Sequence, residues 1–132
     1  HGTKLYTMRE TSKAMIRDRD LLTATAFIAD QTPSPERAYW MNFLNQDTPV
    51  FQGTEGLARK LDKPVIYISI TRPERGYYCM SMETLVADPT HTRDGEITEV
   101  HTRRLERDIR KYPELWLWTH RRWKHRRPST VK

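Results

Sequence analysis

Nearly continuous apolar sequence fills the stretch Leu21-Leu22-Thr23-Ala24-Thr25-Ala26-Phe27-Ile28-Ala29, where only β-branched threonines interrupt it. A run of this length and composition predicts a β-strand that is buried on both faces, as strands are in a parallel sheet. Asp20 leads into the run, and a polar loop rich in proline, residues 30–35, follows it. The segments on either side of this strand therefore decide which class of fold we expect.

Those segments alternate between helical and strand patterns. An amphipathic helix is predicted from Thr3 to about Asp18, because apolar side chains recur there at helical spacing. A short segment at 39–44 is followed by a predicted helix at 54–61, with Thr54 as N-cap and Glu55 at a position that the helix dipole favours. A buried strand is predicted at 64–70, and a hairpin turn at 72–76 leads from it into 77–82. A long helix begins at about Asp94, and Pro113 ends it. This order predicts an α/β fold with a partly parallel sheet flanked by helices. We expect one α/β domain over residues 1–127 and a disordered tail over 128–132.

The composition excludes several classes of protein. The chain has 132 residues, enough for one domain with a core, and 36% of them are hydrophobic while 30% are charged. Its single cysteine, Cys79, excludes an internal disulfide and a cysteine-based zinc finger. No apolar run approaches the length of about 18 residues that predicts a transmembrane helix. The first residue is His1 rather than Met, and we expect the chain to be a piece of a longer protein.

Positive charge is concentrated near the end of the chain. Residues 103–127 contain ten Lys and Arg against three acids, a net charge of +7, whereas the whole chain carries +6. Three tryptophans lie inside this region within a span of eight residues: Trp116, Trp118 and Trp123. Cations beside large amphipathic rings favour an anionic partner with an interfacial component, such as lipid phosphates, an anionic membrane surface or nucleic acid.

Asp30 is the first candidate for chemistry, because it lies at the end of the predicted buried strand. Reactive groups of open α/β sheets gather at the carboxyl ends of strands. The alternative is a loop aspartate that binds backbone N–H groups in a turn rich in Pro and Ser. The residues alone leave both interpretations open.

Two histidines form H-x4-E patterns, His91 with Glu96 and His101 with Glu106. A histidine oriented by a carboxylate is the arrangement that takes a proton from an acceptor hydroxyl in acyl transfer. His91, however, lies in a polar loop, and five residues of helix turn His101 and Glu106 to different faces. No phosphate-binding loop, serine elbow or zinc spacing is present. These residues do not assemble an active site, and we expect neither a metal nor a cofactor.

The terminal sequence 113–124, Pro-Glu-Leu-Trp-Leu-Trp-Thr-His-Arg-Arg-Trp-Lys, resembles the terminal signature of the bacterial lipid A biosynthesis acyltransferases of the late, lauroyl- and myristoyl-transferring class. Weaker matches follow in family order: residues 27–31 at the strand ending in the family's Asp motif, 56–61 in a helix before the Pro-Val strand at 64–66, Arg72 and Gly76-Tyr77 around the hairpin, and Leu105-Glu106, Ile109 and Pro113 before the signature. The resemblance covers nearly the whole chain. It implies a glycerolipid-acyltransferase-like fold, of which this chain is the C-terminal half.

The resemblance also implies an activity and a location. Such enzymes act at the cytoplasmic face of the bacterial inner membrane and move a fatty acyl chain from acyl carrier protein to a hydroxyl of a phosphorylated, acylated glucosamine disaccharide. They use an H-x4-D/E motif that lies upstream of the segment matched by Asp30, and this chain has no residues there. We therefore expect the chain to be inactive alone and to self-associate in place of its missing N-terminal half.

Site residues carry over from the family only at matching positions. Asp30 takes a supporting catalytic role, while substrate binding falls to Arg72, His120, Arg121, Arg122, Trp123 and Lys124. The partners implied are acyl carrier protein, a lipid A precursor and an anionic membrane surface. A basic module that binds nucleic acid or membrane without catalysis is the alternative, although no helix-turn-helix or zinc-finger pattern favours it. A domain that kept the fold without the chemistry is a third possibility.

Overall fold

The computed structural model describes residues 2–128. Within that range the chain forms, in order, α1 (Met8–Arg17), β1 (Tyr39–Phe43), β2 (Gln46–Val50), α2 (Gly53–Leu61), β3 (Val65–Glu74), β4 (Tyr77–Val86) and α3 (Glu96–Lys111). Single turns of 3₁₀ helix lie at Pro35–Arg37, Pro89–His91 and Pro113–Leu115. The mixed α/β class is confirmed. Of the predicted disordered tail, Pro128 is described and exposed, and residues 129–132 lie outside the described residues.

Two antiparallel sheets of two strands each replace the expected partly parallel sheet. β1 pairs with β2, and the tight turn between them places Leu44 and Asn45 at φ of 50° and 62°. β3 pairs with β4 in the predicted hairpin, where Gly76 has a φ of 86°. The part of the chain that the structure describes contains no parallel strand pair, so this element of the predicted fold is not found.

The segment 21–29 is the reason for that difference. It belongs to no sheet, and its apolar side chains face solvent, Leu22 at 106% and Ile28 at 81% relative exposure. An apolar, β-branched run indicates a preference for burial among neighbours. A strand also needs a second strand to pair with its N–H and C=O groups, and none of the described strands does so. The prediction of a strand buried on both faces was therefore wrong.

The other predicted elements are found with shifted ends. The strand predicted to be buried at 64–70 forms as β3, but it exposes Ile66, Ile68 and Ile70, so its predicted burial was wrong. α1 begins at Met8 rather than near Thr3, because the Glu10 carboxylate accepts hydrogen bonds from the Thr7 N–H and hydroxyl. α2 has Gln52 rather than Thr54 as its N-cap. α3 ends at Lys111, and Pro113 follows two residues later.

A buried carboxylate joins α2 to α3. Glu55 accepts hydrogen bonds from the Gly95 N–H at 2.6 Å, the Thr98 N–H at 2.9 Å and the Thr98 hydroxyl at 2.6 Å. These donors lie at the start of α3, so Glu55 caps that helix across the contact. Glu55 also lies in the first turn of α2, where the helix dipole favours an acid, as the sequence predicted. The buried apolar side chains that form the core are Ala14, Met41, Phe43, Val50, Ala58, Ile97 and Ile109.

Substituting Gly95 is expected to destabilise the fold. Gly95 has a φ of 83°, and a Cβ there would lie 2.7 Å from a ring carbon of Tyr39. Gly95→Ala is therefore expected to lower the free energy of unfolding by about 2 kcal/mol, measured by urea denaturation. Gly56→Ala is the matched control, because Gly56 lies inside α2 with open space around its Cβ, and it is expected to stabilise by about 0.5 kcal/mol. Equal effects of the two substitutions would contradict the close packing of Tyr39 on Gly95.

Candidate functional site

The terminal segment 113–127 contacts the loop 30–35 through Thr32 and Arg122. The Thr32 hydroxyl donates a hydrogen bond to the Arg122 carbonyl at 2.7 Å, and Nη1 of Arg122 lies 3.5 Å from the same hydroxyl oxygen. The two residues are ninety positions apart in sequence. The structure thus brings together two of the regions that the sequence singled out, the Asp30 loop and the terminal motif.

Arg122 is a buried cation. The residue is 3% exposed, its guanidinium lies 5.9 Å from the centre of the Phe43 ring, and its Nε has no hydrogen-bond partner among the described residues. Burial lowers the pKa of Arg122 to about 10, against the opposing effect of the Asp30 charge. One carboxylate oxygen of Asp30 is likewise buried without a described partner. The Asp30 carboxylate therefore acts on the Arg122 guanidinium through its charge, because the two groups form no ion pair within 4.0 Å.

Aromatic side chains hold the terminal segment on the β1–β2 hairpin. The Phe43 ring lies 6.3 Å from Trp116 and 6.5 Å from Trp123, centre to centre. Nε1 of Trp123 donates a hydrogen bond of 2.8 Å to the hydroxyl of Thr48, which is fully buried. These contacts show that Trp123 fixes the segment to the fold, a role that the terminal motif alone does not reveal.

The remaining cations of the terminal motif stay at the surface. Arg121 and Lys124 are exposed, and His120 is partly buried. Arg127 pairs with Asp47 at 3.0 Å and lies 5.7 Å from the Trp40 ring centre. Only the exposed members of the motif can meet a large anionic ligand without rearrangement of the core.

Arg72 lies apart from these contacts. It is exposed near the end of β3, close to the tip of the β3–β4 hairpin, and its side chain forms no hydrogen bond or ion pair with any of residues 2–128. The structure therefore does not join Arg72 to the Asp30 loop or to the terminal motif.

Neither H-x4-E pattern forms a His–Glu pair. His91 binds Asp88 instead, at 2.8 Å in an exposed turn, where that hydrogen bond raises the pKa of His91. Glu96 accepts from Arg93. Glu106 accepts from the Leu44 N–H, Arg103 and Arg110, which hold its pKa below the usual value although burial opposes this. In the described part of the chain, both glutamates are therefore bound to arginines rather than to the histidines of their H-x4-E patterns.

His101 is half-buried, with its Nε2 shielded from solvent, and this makes stability depend on pH. Burial lowers the pKa of His101, although Glu55 opposes the shift, and its Nε2 lacks a partner among the described residues. The unfolded chain therefore takes up this proton at a higher pH than the folded chain does. The contribution of His101 to the free energy of unfolding is therefore complete above about pH 6.5 and is lost as the pH falls.

We expect the urea midpoint of the chain to fall between pH 7.5 and pH 5.5, and His101→Gln to reduce that fall. His91→Gln is the control. Because the pKa of the exposed His91 is raised, its small contribution is present below about pH 6.5 and is lost as the pH rises. A midpoint with the same pH dependence in His101→Gln as in the unmodified chain would contradict a half-buried His101 whose pKa is lowered.

A groove of about 220 Å³ runs along the open edge of β3. Its walls come from β3, the end of α3 and the turn that follows, and they include Tyr67, Ile68, Ser69, Ile70, Leu105, Asp108, Ile109, Tyr112, Leu115 and Trp116. At one wall the Tyr67 hydroxyl donates to Asp108 at 3.0 Å, and burial together with the Asp108 charge raises the pKa of Tyr67. The groove is mostly apolar and open to solvent.

Sequence reasoning missed Thr32, Phe43 and Thr48. Each anchors the terminal segment, by the hydrogen bonds to Arg122 and Trp123 and by ring contacts. No signal in the sequence marks a threonine as the partner of a residue seventy-five or ninety positions away. Among the described residues, no cluster of three His, Cys, Asp or Glu side chains is arranged to hold a metal ion. The described helices also include none long and apolar enough to cross a membrane.

The family model for the bacterial lipid A biosynthesis acyltransferases matches residues 3–125. The chain therefore belongs to this acyltransferase family, as the resemblance indicated. No curated protein and no solved structure matches the chain.

Proposed function

We propose that this chain forms the part of a lipid A acyltransferase that carries Asp30 and the terminal cationic motif. In this proposal the intact enzyme transfers a fatty acyl chain from acyl carrier protein to a hydroxyl of a phosphorylated, acylated glucosamine disaccharide at the bacterial inner membrane. The observation that carries the proposal is the family match over residues 3–125. The contact of Thr32 with Arg122 supports it, because that contact unites the two family motifs in one region.

The exposed cations give the proposal a binding surface. Arg121 and Lys124 project from a segment that tryptophans anchor, so their positions are fixed while their charges remain available. Phosphate groups on the disaccharide provide complementary charge, and tryptophan side chains favour the lipid–water interface. In this proposal Arg122 has a different role from Arg121, since it supports the segment from within.

In this proposal the chain alone does not catalyse transfer. Acyl transfer to a hydroxyl needs a base within hydrogen-bond reach of the acceptor. The His91–Asp88 pair is an exposed turn contact away from the described groove, and His101 is half-buried with its Nε2 shielded from solvent. A histidine supplied from outside residues 2–128 is therefore part of the proposal.

Transfer of a labelled acyl chain from acyl carrier protein to the bisphosphorylated disaccharide lipid tests this function. A longer protein, which includes any coding sequence that precedes His1 in the gene, is expected to catalyse transfer. The 132-residue chain alone is expected to give the same rate as a control without enzyme. Transfer by the chain alone would contradict the need for an outside base. Absence of transfer by the longer protein, or a stop codon directly before His1 in the gene, would contradict the acyltransferase function and favour a binding module.

Asp30→Asn is expected to lower turnover of the intact enzyme by at least about tenfold, because the neutral amide no longer supplies charge beside Arg122. The melting temperature is expected to change much less. Asp20→Asn is the matched control, since Asp20 is exposed on the other side of segment 21–29, and its turnover is expected to stay unchanged. Full activity of Asp30→Asn with a large loss of melting temperature would show that Asp30 only caps its turn.

A further inference from the structure

The outer side of α3 carries a stripe of four cations. Arg103, Arg107, Arg110 and Lys111 are all exposed, and no other residue between 103 and 111 is. At 3.6 residues per turn the four share about 100° of the helix circumference, and at 1.5 Å per residue they extend over about 12 Å. The helix therefore presents one continuous positive surface to solvent, which we call the α3 stripe.

A single carboxylate serves the α3 stripe. Glu106, buried at its border, accepts hydrogen bonds from Nη1 of Arg103 at 2.7 Å and from Nη2 of Arg110 at 3.0 Å. Arg107 and Lys111 form no ion pair with any of the described residues. Four cations and one carboxylate leave the stripe with a net charge of +3.

This arrangement weakens the helix that carries it. Arg107 lies four residues from both Arg103 and Lys111, and like charges at that spacing destabilise a helix. The helix dipole favours cations only in the last turn, where Arg110 and Lys111 lie. It does not account for Arg103 and Arg107 in the middle of α3. The uncompensated repulsion indicates that an anionic partner meets the stripe.

The composition of the α3 stripe favours a protein over a membrane or a nucleic acid. A helix that lies on a membrane buries an apolar face in it, and no large apolar side chain of α3 is exposed. Single-stranded nucleic acid stacks its bases on aromatic rings, and the stripe contains none. Guanidinium groups instead match carboxylates, and Arg103 and Arg110 already bind one in this structure.

The charge also indicates that the contact is transient. Burying these cations permanently inside a longer chain would cost their hydration, and each would need a carboxylate of its own. Exposed charges instead guide a partner that binds and leaves, and salt weakens such association by screening it. The α3 stripe is therefore suited to an acidic protein that docks reversibly.

We propose that the α3 stripe docks the acidic surface of a carrier protein. This inference rests on the proposed function, in which acyl carrier protein delivers the acyl chain. The terminal segment, with its tryptophans, then binds the phosphorylated lipid, while α3 receives the protein that brings the donor. The two cationic surfaces of the chain thus bind different substrates of one reaction.

Fluorescence anisotropy of labelled acyl carrier protein, titrated with the 132-residue chain, tests this docking. Arg107→Glu is expected to weaken binding by about tenfold at about 50 mM salt, and by less at higher salt. The variant is expected to stay folded, because it relieves the repulsion with Arg103 and Lys111. Circular dichroism checks this.

Arg9→Glu is the matched control. Arg9 is exposed in α1 and has no ion pair with the described residues, so its reversal changes the net charge equally outside the α3 stripe. Its binding is expected to change by less than about twofold, because salt screens a distant charge. Equal losses in the two variants, or no binding of the carrier protein by the chain, would overturn the proposal. So would Arg107→Glu losing affinity for phosphatidylglycerol vesicles or duplex DNA but not for the carrier protein.

Acyl transfer by the longer protein separates this docking from the proposed function. If that protein is active, Arg107→Glu is expected to raise the KM for acyl carrier protein more than it lowers kcat. An unchanged KM would overturn the docking and leave the acyltransferase function standing. Absence of transfer, with the carrier protein still bound through Arg107, would overturn the acyltransferase function and leave the docking.

Discussion

Replacing Glu55 by alanine is expected to lower the free energy of unfolding by about 3 kcal/mol or more. The Glu55 side chain is buried and accepts three hydrogen bonds, from the Gly95 N–H, the Thr98 N–H and the Thr98 hydroxyl. Alanine leaves these donors buried without partners at the start of α3, and each unsatisfied donor costs about 1–3 kcal/mol. Urea denaturation of the chain measures the loss.

Two further variants test whether the lost hydrogen bonds of Glu55 cause that loss of stability. Glu55→Gln keeps one acceptor oxygen and is expected to lose less than the alanine variant does. Glu99→Ala is the matched control, because Glu99 is exposed on α3 and accepts one hydrogen bond from Tyr39, so its loss is expected to stay within about 1 kcal/mol. If Glu99→Ala cost as much as Glu55→Ala, the cap across the α2–α3 contact would not be what stabilises the fold.

Charge reversal at Arg122 is expected to destabilise the fold by about 3 kcal/mol or more, whereas reversal at Arg121 is expected to leave it intact. Arg122 is 3% exposed and lies near the Asp30 charge, so Arg122→Glu buries a second negative charge beside the first. Arg121 is exposed one position earlier, which makes Arg121→Glu a matched control. The two adjacent arginines therefore differ in role although the sequence presents them as one motif.

The same pair of variants separates stability from binding. Arg121→Glu is expected to keep its urea midpoint and to bind anionic vesicles less tightly than the unmodified chain. Arg122→Glu is expected to have a lower urea midpoint than the unmodified chain. Equal midpoints for the two variants would contradict the buried position of Arg122. Unchanged vesicle binding in Arg121→Glu would remove Arg121 from the proposed binding surface.

Helices and the hairpin were predictable because their signals are local. The apolar spacing of α3, the proline that follows it and Gly76 at the hairpin turn each act within a few residues of chain. The strand prediction for segment 21–29 failed because an apolar pattern indicates burial, whereas a strand also needs a second strand to pair with. Sequence spacing does not identify that second strand. The partly parallel sheet depended on that one segment and was lost with it.

The candidate site divides in the same way. Residue type and charge marked Asp30 and the terminal motif, and the family resemblance gave them roles. Only the folded chain shows that Arg122 is buried while Arg121 is exposed, because that depends on the β1–β2 hairpin bringing Phe43 beneath the guanidinium. Thr32 and Thr48 were not predictable, since each acts as a hydrogen-bond partner of a distant residue.

Binding of the bisphosphorylated, acylated glucosamine disaccharide by the purified chain tests the central claim most directly. Titration into detergent micelles, with the dephosphorylated lipid as comparison, measures how much of the affinity comes from the phosphates. We predict tighter binding of the bisphosphorylated form, with that preference lost in Arg121→Glu and kept in Leu22→Lys. Equal affinity for the two lipids, or a preference that survives Arg121→Glu, would contradict a terminal segment that binds the phosphorylated substrate of a lipid A acyltransferase.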